Sequence, residues 1–243
     1  MKKTYGLLGR NIDYSFSKSY FSEKFKKEHL DCEYNNFDLK EINDIKKVVK
    51  DPLVKGLNVT IPYKEEIISY LDDLDPIAKE IGAVNVIKLS KDQKLKGYNS
   101  DYYGFIESLK PLLNSTIKKA LILGTGGASK AIAYALSQLD IDYMFVSRNP
   151  DFDELNYNDL DEDIIHAYTL IINCTPLGTH PNIHDYPNIP YEYIGKNHVL
   201  YDLIYNPNET AFMIKGKEKG AKVTNGLQML ILQAEKAWSI WNT

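Results

Sequence analysis

Polar side chains that could bind and protonate a small molecule follow the predicted strands of this sequence. Asn58 lies near the end of one predicted strand, and Lys64 comes after it. Asn85 opens a predicted hairpin, and Asn99 and Asp101 close it. Asparagine amides suit hydroxyl groups, and a lysine ammonium held by a carboxylate can donate a proton or stabilise developing negative charge. Because ligands of α/β sheets bind beyond the carboxyl ends of strands, these residues predict a site for a hydroxylated molecule. The alternatives are asparagines in turns, a surface lysine and an aspartate that caps a helix.

A glycine-rich turn joins a short apolar run to a helical pattern in the middle of the chain. Residues 120–123 are apolar, the turn is Gly124-Thr125-Gly126-Gly127, and residues 128–139 have the apolar spacing of a helix. Glycines let the backbone approach a pyrophosphate closely, and the exposed N–H groups at a helix start favour anionic charge. This order of strand, turn and helix predicts a dinucleotide-binding unit, with Ser129 at the third small position of the motif. The alternative is a tight turn that holds no ligand.

The composition is that of an ordinary globular protein and argues against several classes of partner. The chain has 243 residues, of which 44% are hydrophobic and 26% charged, and its formal net charge is -4. Negative net charge disfavours nucleic-acid binding, and no run approaches the roughly 18 apolar residues of a membrane helix. With no signal-peptide pattern and only two cysteines, the sequence predicts a cytoplasmic protein without a disulfide framework. His180 and His184 are separated by Pro181 in a predicted loop, so we expect no metal site.

Apolar spacing predicts two successive blocks of alternating strands and helices. In the first block we expect a helix that begins at Ser17 or Ser19 and ends near His29. The other helices of this block are predicted at 41–50 and 64–71, and its strands at 4–9, 33–39, 54–60, 83–89 and 94–98. In the second block the predicted helices are 101–113, 128–139, 212–219 and 227–241, and the strands are 120–123, 142–146, 169–173, 198–203 and 221–224.

Eight short motifs are spread in order along nearly the whole chain. They are SFS (15–17), NVTIPYK (58–64), GAVNVI (82–87), GYNSD (97–101), GTGGASKA (124–131), NCTPLG (173–178), YDLIYNP (201–207) and NGLQMLILQ (225–233). As an ordered set they resemble the motifs of the shikimate dehydrogenase family. The departures are small, since Val86 and Ser100 stand where the family has threonine. The family's Asn-Arg-Thr motif is matched only in part, by Arg148.

The resemblance implies an α/β fold of two domains and a redox reaction. Residues 1–100 would form a mixed-sheet substrate-binding domain, to which a C-terminal helix at 225–243 returns. Residues 101–224 would form a Rossmann-type NADP-binding domain. The implied reaction is the reversible transfer of hydride between NADPH and the C3 position of 3-dehydroshikimate, with shikimate as the product.

The resemblance also implies roles for individual residues. Lys64 and Asp101 would flank the reacting oxygen as a catalytic pair. The substrate-binding residues would be Ser15, Ser17 and Tyr205 at the carboxylate, and Asn58, Thr60, Asn85 and Gln233 at the hydroxyls or the pocket wall. The cofactor-binding residues would be Gly124, Thr125, Gly126, Gly127, Ala128, Ser147, Arg148, Thr175 and Gly226.

The end of the second strand of the nucleotide block favours NADP over NAD. Chains that prefer NAD usually place a carboxylate there for the ribose 2′-hydroxyl, whereas this sequence has Ser147 and Arg148 and no carboxylate before Asp151. A guanidinium can pair with a 2′-phosphate through two hydrogen bonds, and the alternative is a surface arginine. The rival functions are a quinate dehydrogenase or one of dual specificity, and a non-catalytic NADP-binding regulator. We expect a monomer or a homodimer.

Overall fold

Two compact α/β units make up the protein. The computed structural model describes residues 2–12 and 15–243. Contacts divide the chain into Met1–Ser100 with Ala234–Thr243, and Asp101–Gln233. Each unit contains one six-stranded sheet, so the mixed α/β class predicted from the alternating pattern is confirmed.

The first unit is built on a mixed sheet. Its strands are β1 (Lys3–Gly9), β2 (Cys32–Asp38), β3 (Val54–Val59), β4 (Asp73–Leu74), β5 (Val86–Leu89) and β6 (Leu95–Tyr98). The order across the sheet is β2-β1-β3-β5-β6-β4. β1 is parallel to β2 and β3, β5 is antiparallel to β3 and β6, and β4 is parallel to β6. β1, β3 and β6 therefore end at the same edge of the sheet, where β5 begins.

One face of this sheet is covered by α1 (Phe16–Lys27) and by the end of α8 (Leu227–Asn242). Trp241 lies directly over Gly56, where a Cβ would be only 2.3 Å from the indole ring. The indole Nε1 donates a hydrogen bond of 3.0 Å to the carbonyl oxygen of Ile87. The second half of the C-terminal helix, from Ala234, therefore belongs to the first unit.

The opposite face carries a separate apolar cluster. Leu8, Leu57 and Val59 point to this face and pack against Tyr63 and Ile67, all of them buried. Side chains that alternate along β1 and β3 thus reach two cores, as the period of a strand requires.

Two predicted helices of the first unit are shorter than expected. The segment 41–50 forms a 3₁₀ turn at Ile42–Asp44 followed by the four-residue α2 (Ile45–Val48), and the segment 64–71 forms only a 3₁₀ helix at Glu66–Tyr70. Both segments contain adjacent β-branched residues, which lose side-chain freedom in an α-helix. A single turn is enough to pack their apolar side chains against the sheet.

One strand and one helix of the first unit were not predicted, namely β4 and α3 (Pro76–Ile81). Asp75 caps α3 by accepting a hydrogen bond of 3.0 Å from the Ile77 N–H, and Pro76 occupies the first helical position. Gly82 ends the helix with a φ of 72°. These are ordinary start and stop signals, so this helix was predictable from its ends.

The second unit is built on a parallel sheet with the dinucleotide-binding strand order. Its strands are β7 (Lys119–Leu123), β8 (Asp142–Ser147), β9 (Leu155–Asn156), β10 (Leu170–Asn173), β11 (Val199–Asp202) and β12 (Lys222–Thr224). Every pairing is parallel, and the order β9-β8-β7-β10-β11-β12 places the first strand of the unit beside its second and fourth. This is the Rossmann order 3-2-1-4-5-6, whose ligand crevice lies at the carboxyl ends of the strands between β7 and β10.

Helices cover both faces of the second sheet. α4 (Asp101–Leu109), α5 (Gly127–Ser137) and the start of α8 pack on one face, and α6 (Glu162–Ala167) and α7 (Ala211–Glu218) on the other. α4 and α5 end earlier than predicted, and α6 and β9 were not predicted. Both omitted elements are too short for a clear apolar period.

Candidate functional site

The first turn of α1 carries two of the predicted substrate-binding residues. Ser15 is the N-cap of α1, where its Oγ accepts a hydrogen bond of 3.3 Å from the Lys18 N–H. Ser17 is the second helical residue and is buried. The helix therefore begins earlier than predicted, because its N-cap is Ser15 and not Ser17 or Ser19. A helix start favours an anion, so both hydroxyls lie where a carboxylate would be stabilised.

A chain of buried polar groups runs along the edge where β3 and β6 end. The Asn58 Nδ2 donates to the Asn85 carbonyl oxygen at 3.3 Å. The Asn85 Oδ1 accepts from the Ser100 N–H at 2.7 Å, and the Asn85 Nδ2 donates to the Ser100 Oγ at 3.0 Å. Asn58, Asn85 and Ser100 are each 4% exposed or less. The structure therefore brings two of the three predicted asparagines, Asn58 and Asn85, together, as expected from strands that meet at one edge.

Thr60 and Lys64 lie in the loop that follows β3. The Thr60 N–H donates to the Leu8 carbonyl oxygen at 2.9 Å, and the Lys64 carbonyl oxygen accepts from the Val84 N–H at 2.7 Å. Both residues are half-buried. Lys64 precedes the 3₁₀ helix at Glu66–Tyr70. The prediction that a helix begins at Lys64 is therefore wrong. Its backbone is instead anchored to the segment that leads into β5.

Asp101 and Gln233 belong to the second unit, where a glycine allows two helices to approach closely. Asp101 is the first residue of α4 and is 5% exposed, and Gln233 in α8 is 6% exposed. A Cβ at Gly104 would lie 2.5 Å from the Met229 carbonyl oxygen and 3.0 Å from the Gln233 Cβ. Gly104 therefore lets the backbone of α8 lie beside the turn of α4 that begins with Asp101.

Tyr205 and Gly226 follow the ends of β11 and β12. Tyr205 is half-buried, and Gly226 is buried. The Gly226 N–H donates to the Ile204 carbonyl oxygen at 3.0 Å. A Cβ at Gly226 would lie 2.1 Å from the Leu203 carbonyl oxygen. The packing of the protein itself therefore requires a glycine at position 226, and its contact with the cofactor stays a prediction.

The glycine turn after β7 has the form that a pyrophosphate requires. Gly124 has a φ of 98°, which favours glycine, and a Cβ there would lie 3.1 Å from the Thr175 Cγ2. The loops after β7 and β10 therefore meet, at the switch point of the strand order. Gly126 has open space where a Cβ would be. α5 begins at Gly127, followed by Ala128, and its first N–H groups have no acceptor within the helix. These features fit a dinucleotide phosphate.

Ser147 and Arg148 lie at the carboxyl end of β8. The Ser147 Oγ accepts from the Asn149 N–H at 3.3 Å, and the Arg148 carbonyl oxygen accepts from the Asn156 Nδ2 at 3.2 Å. The Arg148 side chain is exposed. In the described ranges 2–12 and 15–243 its guanidinium forms no ion pair with a carboxylate. The backbone is thus fixed while the cation is available for a phosphate.

A buried carboxylate holds the loop that contains Thr175. The Asp202 Oδ1 accepts from the Asn173 Nδ2 at 3.1 Å, and the Asp202 Oδ2 accepts from the Thr210 hydroxyl at 2.6 Å. The Asn173 Oδ1 in turn accepts from the Thr175 N–H at 3.0 Å and its hydroxyl at 2.7 Å. Burial raises the pKa of Asp202 to about 6, although hydrogen bonds from Thr210 and from the Ile204 N–H oppose the shift. Asp202 therefore fixes Thr175 through Asn173.

Comparison with known proteins assigns the chain to a family. The sequence model of the "Shikimate dehydrogenase substrate binding domain" matches residues 7–87. A protein of Clostridium botulinum (strain Hall) named shikimate dehydrogenase (NADP(+)) is 43% identical over 250 residues, which cover 98% of this chain and 96% of that protein. The chain belongs to the shikimate dehydrogenase family. The relationship expected from the eight motifs is thereby confirmed.

Solved structures of shikimate dehydrogenases share the whole fold. The enzyme of Aquifex aeolicus superposes with a TM-score of 0.88 at 36% identity, over 99% of this chain and 92% of that one. The enzyme of Thermus thermophilus, solved in complex with NADP(H) and shikimate, has a TM-score of 0.87 at 28% identity, over 98% of this chain and 93% of that one. The fold of two α/β domains, one of them Rossmann-type, is therefore confirmed.

Four residues that shape these sites have no role predicted from the sequence. Asn173 and Asp202 stood inside quoted motifs without a role, and Gly104 follows Asp101 by one helical turn. Tyr34 lies in the predicted strand 33–39, and its hydroxyl donates to Asn58. The apolar pattern places a tyrosine ring in the core but does not indicate where its hydroxyl points.

Among residues 2–12 and 15–243, no three side chains of His, Cys, Asp and Glu come together as ligands for a metal ion. In the same ranges every helix is too short or too polar to cross a lipid bilayer.

Proposed function

We propose that this protein is a shikimate dehydrogenase that catalyses the NADPH-dependent, reversible reduction of 3-dehydroshikimate to shikimate. The reaction belongs to the shikimate pathway, which leads to chorismate and the aromatic amino acids. The observation that carries the proposal is the 43% identity over nearly the whole chain to a shikimate dehydrogenase (NADP(+)). The two units supply the two kinds of site that the reaction needs, one rich in hydroxyl partners and one shaped for a dinucleotide.

The domains and residue roles are part of this proposal. Residues 1–100 with 225–243 bind the substrate, and residues 101–224 bind NADP. Ser15 and Ser17 hold the carboxylate at the start of α1, with Tyr205. The hydroxyls and the pocket wall are assigned to Asn58, Thr60, Asn85 and Gln233.

The nucleotide is assigned to residues at the ends of β7, β8, β10 and β12. The N–H groups at the start of α5 suit its pyrophosphate, and Ser147 and Arg148 suit the 2′-phosphate. The remaining contacts are assigned to Gly124, Thr125, Gly126, Gly127, Ala128, Thr175 and Gly226. A cytoplasmic location and a monomeric or homodimeric state are parts of the proposal that rest on the sequence alone.

The chemistry falls to Lys64 and Asp101. When bound, the cofactor supplies or accepts a hydride. Reduction of a ketone places negative charge on its oxygen, and the Lys64 ammonium is suited to give that oxygen a proton or to stabilise the charge. Asp101 is assigned to the same step as the second member of the catalytic pair. In the reverse direction the same groups receive the proton of the hydroxyl.

A steady-state assay that crosses shikimate and quinate with NADP and NAD tests the proposal. We expect the highest kcat/KM for shikimate with NADP, because both carboxylate-binding serines of the shikimate-type pair, Ser15 and Ser17, are present. Quinate bears an extra hydroxyl on a tetrahedral carbon, so its carboxylate leaves the ring at another angle. Comparable kcat/KM for both acids would favour the dual-specificity alternative. NADP binding without turnover of either acid would favour the non-catalytic regulator.

The catalytic pair is tested by substitution at each of its members. Proton transfer by a placed side chain is worth about 10²–10⁴-fold, so Lys64→Ala should lower kcat by that factor while KM changes far less. Asp101→Asn should cost a similar factor, and the double variant little more than the worse single one, because residues that act as a unit are not additive. The exposed Lys50 provides the control, and Lys50→Ala should leave both constants unchanged. A rise in KM for Lys64→Ala with kcat near the wild-type value would make Lys64 a binding residue.

A further inference from the structure

We infer that Tyr34 is a positioning residue that links Ser17 to Asn58 and holds both in the geometry that binds substrate. The inference rests on the proposed function, which assigns Ser17 to the carboxylate and Asn58 to a hydroxyl. It adds a residue that has no place in the eight motifs and that joins the two ends of the substrate site.

The Tyr34 side chain lies wholly inside the first unit. It is 3% exposed, and its ring stacks on Phe21 at a centroid distance of 4.7 Å and an interplanar angle of 10°. Phe21 and Ser17 are four residues apart on α1, so they share one face of that helix. The stacked pair therefore holds the tyrosine hydroxyl next to the first turn of α1.

The hydroxyl of Tyr34 has two partners, both of them proposed substrate-binding residues. It donates a hydrogen bond of 2.7 Å to the Asn58 Oδ1, and the Ser17 side chain is near enough to act on it as a hydrogen-bond donor that opposes the rise in its pKa. The orientation of the Asn58 amide is fixed, because its Nδ2 donates to the Asn85 carbonyl oxygen at 3.3 Å. A rotated amide would place two oxygens against each other there.

The number of protons at these groups determines which of them donates. A phenol has one hydroxyl proton, and Tyr34 gives it to Asn58, so its oxygen can only accept from Ser17. Burial raises the pKa of Tyr34, and the hydrogen bond from Ser17 opposes this rise only in part. The phenol therefore stays protonated and remains the donor to Asn58.

A bound carboxylate changes only the Ser17 end of this chain. A carboxylate has lone pairs and no proton, so Ser17 must turn its single proton from Tyr34 to the ligand. Tyr34 keeps its bond to Asn58 during this exchange. Tyr34 thus offers Ser17 an acceptor when no ligand is bound, and it fixes Asn58 in both states.

Removal of the Tyr34 hydroxyl should therefore weaken substrate binding without harming the chemical step. Tyr34→Phe keeps the ring on Phe21 but no longer holds the Asn58 amide toward the substrate, and loss of the hydrogen bond between Asn58 and the substrate corresponds to roughly two- to tenfold in affinity. We expect KM for shikimate to rise by about that factor. KM for NADP and kcat should change less than about threefold.

The matched control is Tyr5→Phe. Tyr5 belongs to the same apolar cluster as Tyr34 and is 2% exposed, and within the described part of the chain its hydroxyl forms no hydrogen bond. Tyr5→Phe should leave KM for shikimate unchanged. Thermal unfolding of both variants checks that each is folded, and a merely structural role of Tyr34 would lower the melting temperature without a selective change in KM.

A double-mutant cycle with Asn58→Ala tests whether Tyr34 acts through Asn58. If it does, Tyr34→Phe should raise KM much less in the Asn58→Ala background than in the wild type. Equal effects in both backgrounds, or an unchanged KM in Tyr34→Phe alone, would overturn the inference while the wild-type activity left the proposed function intact. A wild-type protein that did not turn over shikimate would refute both.

Discussion

At the scale of single residues, both sites depend on groups that hold other groups. Lys64 is anchored through its carbonyl oxygen by the Val84 N–H. Thr175 is held by Asn173, which is held in turn by Asp202. Side chains that a ligand would touch are therefore fixed before the ligand arrives, which lowers the entropy that binding has to offset.

We expect the choice between NADP and NAD to depend on one exposed side chain, Arg148. A charge-assisted hydrogen bond is worth roughly 1.5–3 kcal/mol, so Arg148→Ala should weaken NADP binding by about ten- to a hundredfold. NAD has no 2′-phosphate, and its affinity should barely change. Fluorescence titration with NADPH and NADH measures both dissociation constants.

A conservative variant separates charge from geometry at this position. Arg148→Lys keeps the positive charge but not the planar pair of donors, so it should recover part of the NADP affinity. Equal losses for NADP and NAD in Arg148→Ala would show that Arg148 does not contact the 2′-phosphate.

The buried Asp202 should make stability depend on pH in an unusual direction. Its pKa is raised to about 6 in the folded chain, against about 3.9 in an unfolded one. Between these values the folded chain binds the proton and the unfolded chain does not, so the contribution of this group to stability falls as pH rises through the window. Lowering the pH from 7.5 to 5 should therefore stabilise the wild type by about 1 kcal/mol relative to Asp202→Asn.

Urea unfolding of the two proteins at both pH values measures this difference. All other titrating groups are common to both chains, so they cancel in the comparison. Asp153→Asn, at an exposed position, is the control and should follow the wild type. Wild type and Asp202→Asn with equal pH dependence would contradict a raised pKa at Asp202.

At the scale of elements, the last helix completes the core of the first unit. Trp241 fills the space over Gly56 and donates to the Ile87 carbonyl oxygen. Trp241→Ala leaves a cavity and an unsatisfied carbonyl, so it should lower the free energy of unfolding by about 3–5 kcal/mol. Chemical denaturation followed by circular dichroism measures the change.

Ser239→Ala provides the control on the same helix, because Ser239 is exposed, and it should change stability by less than about 0.5 kcal/mol. A loss in Trp241→Ala no larger than that of Ser239→Ala would mean that the helix end does not stabilise the first unit.

The elements differ in how far their sequences determine them. β7 and α5 were predicted because an apolar run, a glycine turn and a helical period follow one another directly. The segment 41–50 has the same helical period, yet it forms little α-helix, since one turn suffices to bury its apolar side chains on the sheet. A local apolar pattern thus predicts which residues of a segment contact the core. It predicts the length of the helix or strand less well.

Within the predicted sites, contacts between residues far apart in the sequence were also predicted only in part. Asn58 and Asn85 were expected to meet because strands that share an edge end together. The contact between Tyr34 and Asn58 spans 24 residues, and that between Asn173 and Asp202 spans 29. Such contacts depend on which strands become neighbours and on side-chain direction, and neither is encoded in local spacing.

At the scale of the whole molecule, the proposed roles predict that each ligand protects a different set of amides from hydrogen exchange. NADP should slow exchange most at 124–128, 147–149 and 175, because its phosphates and ribose bind N–H groups and loops of the second unit. Shikimate should slow exchange most at 15–18, 58–60 and 85–86 in the first unit. Hydrogen–deuterium exchange with mass spectrometry, with each ligand alone and with both, measures the two patterns.

In Arg148→Ala, protection by NADP at 147–149 should be lost at a ligand concentration that still protects the wild type, while protection by shikimate should persist because its contacts are elsewhere. Stronger protection by NADP at 58–60 than at 124–128 would show that the substrate and nucleotide roles have been given to the wrong units.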